Sequence, residues 1–295
     1  MKQNHASLTK NVLILLLVAG ASLLGIAPVI VKALPFDAEV SAFYRVFLAI
    51  PCMVLMCVLN RDNLALHPKD KCFVWLILLA VLFFSADLTV MHFAIRRTDV
   101  AIATLLTNCA PFFVVLMGMA GIIEKPKSWE IGCLLLAMGG MYVLCAMDKT
   151  VSRDYWGEVL ALLAAFFYAA YIVTIKKVRA YNCPASVIML YITLGCSLVL
   201  LPAFIFSGTP LPLSLSTWTL LLALVLCGQV FGQLLVTLSM KGLSASFSSI
   251  VLLLQPIIAA ALSWALLGET LTLTELTGMA IVLSAILVSS LRIKN

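Results

Sequence analysis

The sequence predicts an all-α integral membrane protein with ten transmembrane helices. Apolar residues make up 63% of the 295-residue chain, against roughly 45–50% in an average soluble protein. Charged residues make up only 11%, against roughly 25%, and the mean hydropathy is +1.14. Because so few polar side chains are present, the composition disfavours a soluble enzyme, a disordered chain and a coiled coil.

Ten apolar runs are long enough to cross a bilayer. A helix needs about 20 mostly apolar residues to span a hydrocarbon core of about 30 Å. Open strands leave backbone groups unsatisfied in lipid, so each run predicts a helix. The predicted spans are 11–33, 40–59, 73–95, 99–122, 129–147, 156–175, 185–206, 217–239, 244–267 and 275–291.

Short polar breaks separate these spans. The first run extends to about Leu34, well past the 7–15-residue apolar core of a secretion signal, so we expect a retained helix. The later helices end where proline, glycine and charged residues cluster. Clear breaks are Leu34-Pro35-Phe36-Asp37, Asn60 to Lys71, Glu124-Lys125-Pro126-Lys127 and Ser207-Gly208-Thr209-Pro210.

The distribution of Lys and Arg predicts the orientation. With the N-terminus in the cytoplasm, the inner segments carry more than twice as many Lys and Arg residues as the outer segments. Positive charge is retained on the cytoplasmic side of membrane proteins, so both termini are predicted to lie inside. The net charge of +6 forms no basic stripe, and we expect no nucleic-acid partner.

Cysteine and histidine spacing predicts neither a disulfide framework nor a metal site. The nine cysteines form no CxxC pair, and most lie within apolar runs, where free cysteine packs as a small hydrophobe. His5, His67 and His92 lack ligand spacing. No GxSxG, P-loop or HExxH motif is present, so we expect no catalytic residues, no metal and no cofactor.

The two halves of the chain share landmarks at a fixed spacing, which indicates a duplication. Five helices is an odd number, so the second half would enter the membrane from the opposite side, as in the inverted repeats of secondary transporters. The alternative is a duplication retained only for stability. The predicted repeats are 1–149 and 150–295. The landmark pairs are Lys32/Lys177, Pro111/Pro256, Glu124/Glu269 and, one residue further apart, Gly132/Gly278.

Arg45, Asp87 and His92 fall within the outer halves of the second and third predicted spans, where charge is costly and marks function. Arg45 and Asp87 lie at similar depth in the second and third spans, and His92 lies nearer the outside. One interpretation is a buried ion pair that fixes helix packing. The other is a coupling or gating cluster, because carboxylates and histidine bind and release protons.

Polar side chains near the middle of other spans are candidates for a substrate site. Pro111 and Pro256 are expected to kink their helices and expose carbonyl groups next to an amide side chain. The alternatives are packing kinks and ordinary core packing. Amides and aromatic rings suit a small zwitterion or a planar ring. The candidate binding residues are Asn108, Tyr168, Tyr171, Gln229, Gln233 and Gln255.

Motifs in both halves resemble one family. The first half contains Ala86-Asp87-Leu88, His92, Ile95-Arg96, Ala103-Thr104-Leu105-Leu106, Asn108 and Pro111-Phe112. The second half contains Gln255-Pro256, Gly268-Glu269-Thr270-Leu271-Thr272 and Gly278. Together with the span count, these segments resemble EamA-type members of the drug/metabolite transporter superfamily over nearly the whole chain. The resemblance implies a ten-helix inner-membrane carrier with a central cavity.

The expected function is secondary transport of a small metabolite by alternating access. Family members are said to move amino acids, other metabolites, nucleotide-linked compounds or drugs, and we expect export of amino acids or related compounds, with protons as the candidate coupling ion. The alternatives are uptake or exchange of a larger nucleotide-like metabolite, and a non-transporting membrane accessory protein. The expected partners are the small-molecule substrate and the lipid bilayer. The expected location is the bacterial inner membrane, as a monomer or homodimer.

Overall fold

The computed structural model describes residues 9–62, 71–97, 106–145, 155–181, 183–208, 214–267 and 272–294. All regular secondary structure in these segments is helical, which confirms the all-helical prediction for the described part. The first half contains α1 (Lys10–Ala33), α2 (Ala38–Phe47), α3 (Ala49–Leu59), α4 (Lys71–Arg97), α5 (Ala110–Met119) and α6 (Ser128–Cys145). The second half contains α7 (Tyr155–Val178), α8 (Ala185–Ser207), α9 (Leu215–Leu224), the π-helical segment π1 (Val225–Gln233), α10 (Leu234–Ser239), α11 (Ala245–Leu252), α12 (Leu254–Leu267) and α13 (Leu273–Lys294).

The described helices have the length and surface of a multi-pass membrane protein. Eight stretches are long and apolar enough to cross a bilayer, and α5 and α6 contribute two shorter apolar segments. Large apolar side chains face outward, among them Phe206 and Leu215, which are 88% and 80% exposed. Contiguous exposed apolar surface suits lipid rather than water. The orientation and the relation between the two halves stay predictions, and Glu269 lies outside the described residues.

Two predicted spans divide into two helices each. α2 ends at Phe47 and α3 begins at Ala49, with Leu48 between them, three residues before Pro51. α11 and α12 meet at Leu253, three residues before Pro256. A proline lacks the backbone N–H for the helical hydrogen bond and crowds the preceding turn, so the helix is interrupted on its N-terminal side.

Small residues bring α1 and α6 close to helices of the second half. A Cβ added at Gly25 would lie 2.7 Å from the Gln255 carbonyl oxygen, and one at Gly20 would lie 3.0 Å from the Gly232 carbonyl oxygen. In α6, a Cβ at Gly140 would lie 2.9 Å from the Gly278 carbonyl oxygen. Such backbone approach is typical of helix pairs in membranes, and it brings α12 and π1 against α1.

Candidate functional site

A small cavity of about 20 Å³ lies between α5, α7 and the junction of α11 with α12. Its polar lining comes from residues of all three regions, which places groups distant in sequence around one space. Its apolar lining includes Ile172 of α7. The polar and proline residues that line it are Thr107, Asn108, Pro111, Tyr168, Ser249 and Gln255.

Two helix interruptions shape this cavity. Cys109 has ψ −1° immediately before α5, and Pro111 is in the first turn of that helix. Leu253 has ψ −5° between α11 and α12, and Pro256 follows in the first turn of α12. Asn108 and Gln255 lie beside these interruptions. An amide side chain therefore lies beside a helix interruption in each half of the chain, and both amide residues line the cavity.

Tyr168 connects the cavity to a layer of stacked aromatic rings. Its ring lies 6.2 Å from that of Tyr171, which stacks on Phe84 of α4 at 4.7 Å between centroids. The side-chain amides of Gln233 and Gln255 both interact with the Tyr168 phenol. Tyr171 is buried, and its hydroxyl has no hydrogen-bond partner among the described residues.

Gln229 and Gln233 lie on π1 and are almost completely buried, with exposures of 0% and 2%. The Nε2 atom of Gln229 donates to the Thr193 hydroxyl of α8 at 3.1 Å. Its Oε1 atom is buried without a hydrogen-bond partner among the described residues. Gln229 therefore contacts α8, whereas Gln233 lies beside Tyr168.

Arg45 lies on α2 and contacts π1 directly. Its Nη2 atom donates to the Gly228 carbonyl at 3.1 Å, while its Nε atom is buried with no partner among the described residues. Arg45 also interacts electrostatically with Tyr168 and Tyr171. The guanidinium is therefore part of the same polar neighbourhood as the cavity.

Asp87 is buried in α4, with 8% exposure, and interacts electrostatically with Arg45. Within the described part of the chain, no ion pair of 4 Å or less joins these two side chains. His92 belongs to α4, but its side chain lies outside what the structure describes. The two charges are thus neighbours without direct contact, and their role in coupling or gating stays a prediction.

Sequence reasoning did not identify π1. A π-helix carries an extra residue per turn and occurs frequently at functional sites. Gly228 and Gly232 are both in it, and a Cβ at Gly232 would meet the Cys227 carbonyl oxygen and Leu24. Two glycines interleaved with Gln229 and Gln233 were the available signal, because glycine permits close approach of a neighbouring backbone or side chain.

A second unpredicted feature is a polar network at the predicted cytoplasmic ends of the cavity helices. Lys176 of α7 donates to the carbonyls of Met240 and Leu243 at 3.2 and 2.7 Å. Its Nζ atom also lies 3.5 Å from Oε1 of Glu124. Lys176 therefore links the end of α7 to the segment between α10 and α11 and to the segment after α5.

Two carboxylates of this network meet the start of α11. The Ala245 N–H donates to Oε1 of Glu124 at 3.2 Å. The Ser244 hydroxyl donates to Oε1 of Glu130 at 2.6 Å and accepts from the Phe247 N–H, so it also caps α11. Together these residues form the end network, which consists of Glu124, Glu130, Lys176, Ser244 and Ala245.

Comparison with known proteins identifies the family. The model of the EamA-like transporter family matches the chain twice, over residues 11–146 and 155–291. The chain belongs to the EamA-like transporter family. The expected resemblance is confirmed, and the protein is a multi-pass membrane transporter rather than an enzyme. Family membership also implies a small-molecule substrate and a lipid environment.

Relatives named as transporters support the same classification. An uncharacterized transporter of Archaeoglobus fulgidus is 28% identical over 279 residues, covering 92% of this chain and 94% of that protein. A pseudopaline exporter of Pseudomonas aeruginosa is 25% identical over 199 residues, covering 67% and 68%. A crystal structure with 15% identity superposes with a TM-score of 0.77 over 96% of both chains, which supports the fold alone.

Proposed function

We propose that this EamA-family protein is a secondary transporter that exports amino acids or closely related small metabolites from bacteria, across the inner membrane. The observation that carries the proposal is the cavity at the paired helix interruptions, where Asn108, Tyr168 and Gln255 supply amide and phenol groups. The cavity volume in this state is about 20 Å³, which is room for about one water molecule. The proposed substrate class therefore rests on the chemistry of these side chains and not on the size of the cavity.

We further propose that alternating access arises from two inverted repeats, 1–149 and 150–295. The two family matches, 11–146 and 155–291, support this division. The helix interruptions before Pro111 and Pro256 occupy equivalent places in the two halves. Binding between repeats is the general design of such carriers, because rocking of one repeat against the other exposes the same site to each side in turn.

The test is flux into proteoliposomes that contain the purified, folded protein. The panel holds labelled amino acids and nucleotide-like metabolites, each measured with and without a pH gradient. We expect saturable flux of one or more amino acids and weaker flux of nucleotides. Saturable flux of nucleotides alone would contradict the proposed substrate class. Absence of flux for every compound would likewise contradict export of amino acids or closely related metabolites.

We propose protons as the coupling ion and Asp87 as the group that carries them, in a monomer or homodimer. A carboxylate within a membrane span is costly, and proton relays use such groups. In the Asp87→Asn variant, flux should persist but no longer accelerate in a pH gradient. Glu158→Gln is the control, because Glu158 lies in the first turn of α7 and is not among the groups that act on Arg45 or Asp87. An unchanged pH profile in Asp87→Asn would exclude this role.

A further inference from the structure

The guanidinium of Arg45 has more N–H donors than acceptors among the described residues. An arginine presents five N–H donors in a planar fork. The described contacts supply one acceptor, the Gly228 carbonyl at 3.1 Å, and leave Nε buried without a partner. The residue as a whole is only partly buried, so another part of the side chain faces open space. The guanidinium is thus fixed on one side and available on the other.

Gly228 fixes the position of this guanidinium. A Cβ at residue 228 would lie 3.0 Å from Nε and 3.2 Å from Cζ of Arg45. These separations are tighter than ordinary contacts, so any larger side chain would push the guanidinium away from π1. Glycine at this position and the hydrogen bond to its carbonyl act together, and they hold the plane of the fork against π1.

The charge of Arg45 is not neutralised by direct contact with Asp87. The two side chains interact electrostatically, but within the described residues they form no ion pair. A charge inside a membrane span is costly unless a partner or water compensates it. An anionic group that contacted Arg45 would therefore be stabilised by a charge with spare donors. Tyr168 interacts electrostatically with Arg45 and lines the cavity, so Arg45 lies in the neighbourhood of the cavity wall.

We propose that Arg45 binds the carboxylate of the transported molecule, with Gly228 as its positioning residue. The proposal rests on the function proposed above, and it names the chemistry that the site recognises. The planar guanidinium matches a carboxylate with two parallel hydrogen bonds, which an ammonium does not reproduce. The site therefore selects a free carboxylate over the corresponding neutral amide, and Arg45→Lys retains the charge but weakens that selection.

The test compares amino acids with their amides, which keep the side chain and the ammonium group. Thermal stabilisation of the purified protein is measured with all twenty L-amino acids and with the amides of those that bind. Wild type should bind the acid more tightly than its amide. In Arg45→Gln, this preference should fall by roughly tenfold to a hundredfold, the usual effect of losing a hydrogen bond to a charged group. Gly228→Ala should also reduce the preference for the acid over its amide, although Arg45 is still present.

Arg179→Gln is the matched control. Arg179 is also buried, at 6% exposure, and it donates to the Cys183 carbonyl at 2.6 Å, outside the cavity helices. This variant should lose stability but keep the preference for the acid. An unchanged preference in folded Arg45→Gln, or a wild type that favours no acid over its amide, would overturn the proposal. Flux of uncharged substrates, together with equal binding of acids and their amides, would overturn the proposed carboxylate site and leave the transport function intact.

Discussion

Gly139 and Gly140 are neighbours in α6, yet a side chain added at each would meet different surroundings. A Cβ at Gly140 would lie 2.8 Å from Cγ2 of Val282 and 2.9 Å from the Gly278 carbonyl oxygen, whereas a Cβ at Gly139 would meet nothing within 4 Å. The contact at Gly140 is with backbone and a branched side chain of α13. Neither moves easily, so the helix pair itself would have to separate.

Gly140→Ala should therefore destabilise the protein by about 1–3 kcal/mol, the usual cost of overpacking. Gly139→Ala should be neutral, or stabilising by up to about 1 kcal/mol, because alanine is the better helix former. Thermal unfolding of the two variants in the same detergent measures the difference. Equal melting temperatures would mean that α6 and α13 are not in contact at these residues.

The chemical type of the candidate residues was predictable, but their contacts were not. Polar side chains within apolar runs are visible in the sequence, and Asn108, Tyr168 and Gln255 do line one cavity. The hydrogen bond of Gln229 to Thr193 was not predictable. It depends on which face of π1 meets α8, and helical periodicity within one span carries no information about the neighbouring helix.

At the scale of the helices, proline is a local signal for a change of geometry, because its missing donor appears in the sequence itself. Interruptions precede Pro111, Pro256 and also Pro51, where none was predicted, whereas α1 and α8 continue through Pro28 and Pro202. π1 is different, since no residue in it forbids an α-helix. A π-helical turn is stabilised by tertiary contacts, here with Arg45 and α1. Those contacts join residues far apart in sequence, so the segment was not predictable.

The predicted orientation of the helices is tested by cysteine labelling. Cys72 is exposed near the start of α4, and Cys183 is buried between α7 and α8. Both lie at the predicted cytoplasmic side. An impermeant maleimide should therefore label Cys72 in inside-out vesicles but not in right-side-out vesicles, as read by mass spectrometry.

Cys183 should react slowly in either preparation. Burial raises the pKa of its thiol, and the nearby Arg179 offsets only part of this rise, so that the pKa is about 11. The thiolate is the reactive form, so labelling at neutral pH is suppressed and increases as the pH rises toward that value. Labelling of Cys72 from the outer side would contradict the proposed orientation, and rapid labelling of Cys183 at neutral pH would contradict its burial.

Across the whole molecule, the end network joins the same elements that line the cavity. Glu124 follows α5, Lys176 is near the end of α7, and Ala245 begins α11. In the predicted orientation, all three lie at the cytoplasmic side, below Asn108, Tyr168 and Ser249. Contacts between these ends keep the three elements together there. If the transporter alternates between two states, this network belongs to the state that is closed toward the cytoplasm.

Breaking the network should therefore open the cavity toward the cytoplasm. Ser249 lines the cavity and is fully buried, so Ser249→Cys reports access when maleimide is applied to inside-out vesicles.

Adding Lys176→Gln to this reporter variant should accelerate labelling more than adding Glu124→Gln, because Lys176 also donates to two carbonyls. With both substitutions present, the labelling rate should rise by less than the sum of the two separate increases, because each substitution removes the same contact between Lys176 and Glu124. Glu275→Gln is the control, because Glu275 accepts from Thr272 at the start of α13, outside the network. Unchanged labelling in Lys176→Gln would mean that these contacts only stabilise the helix ends, and that closure toward the cytoplasm depends on other residues.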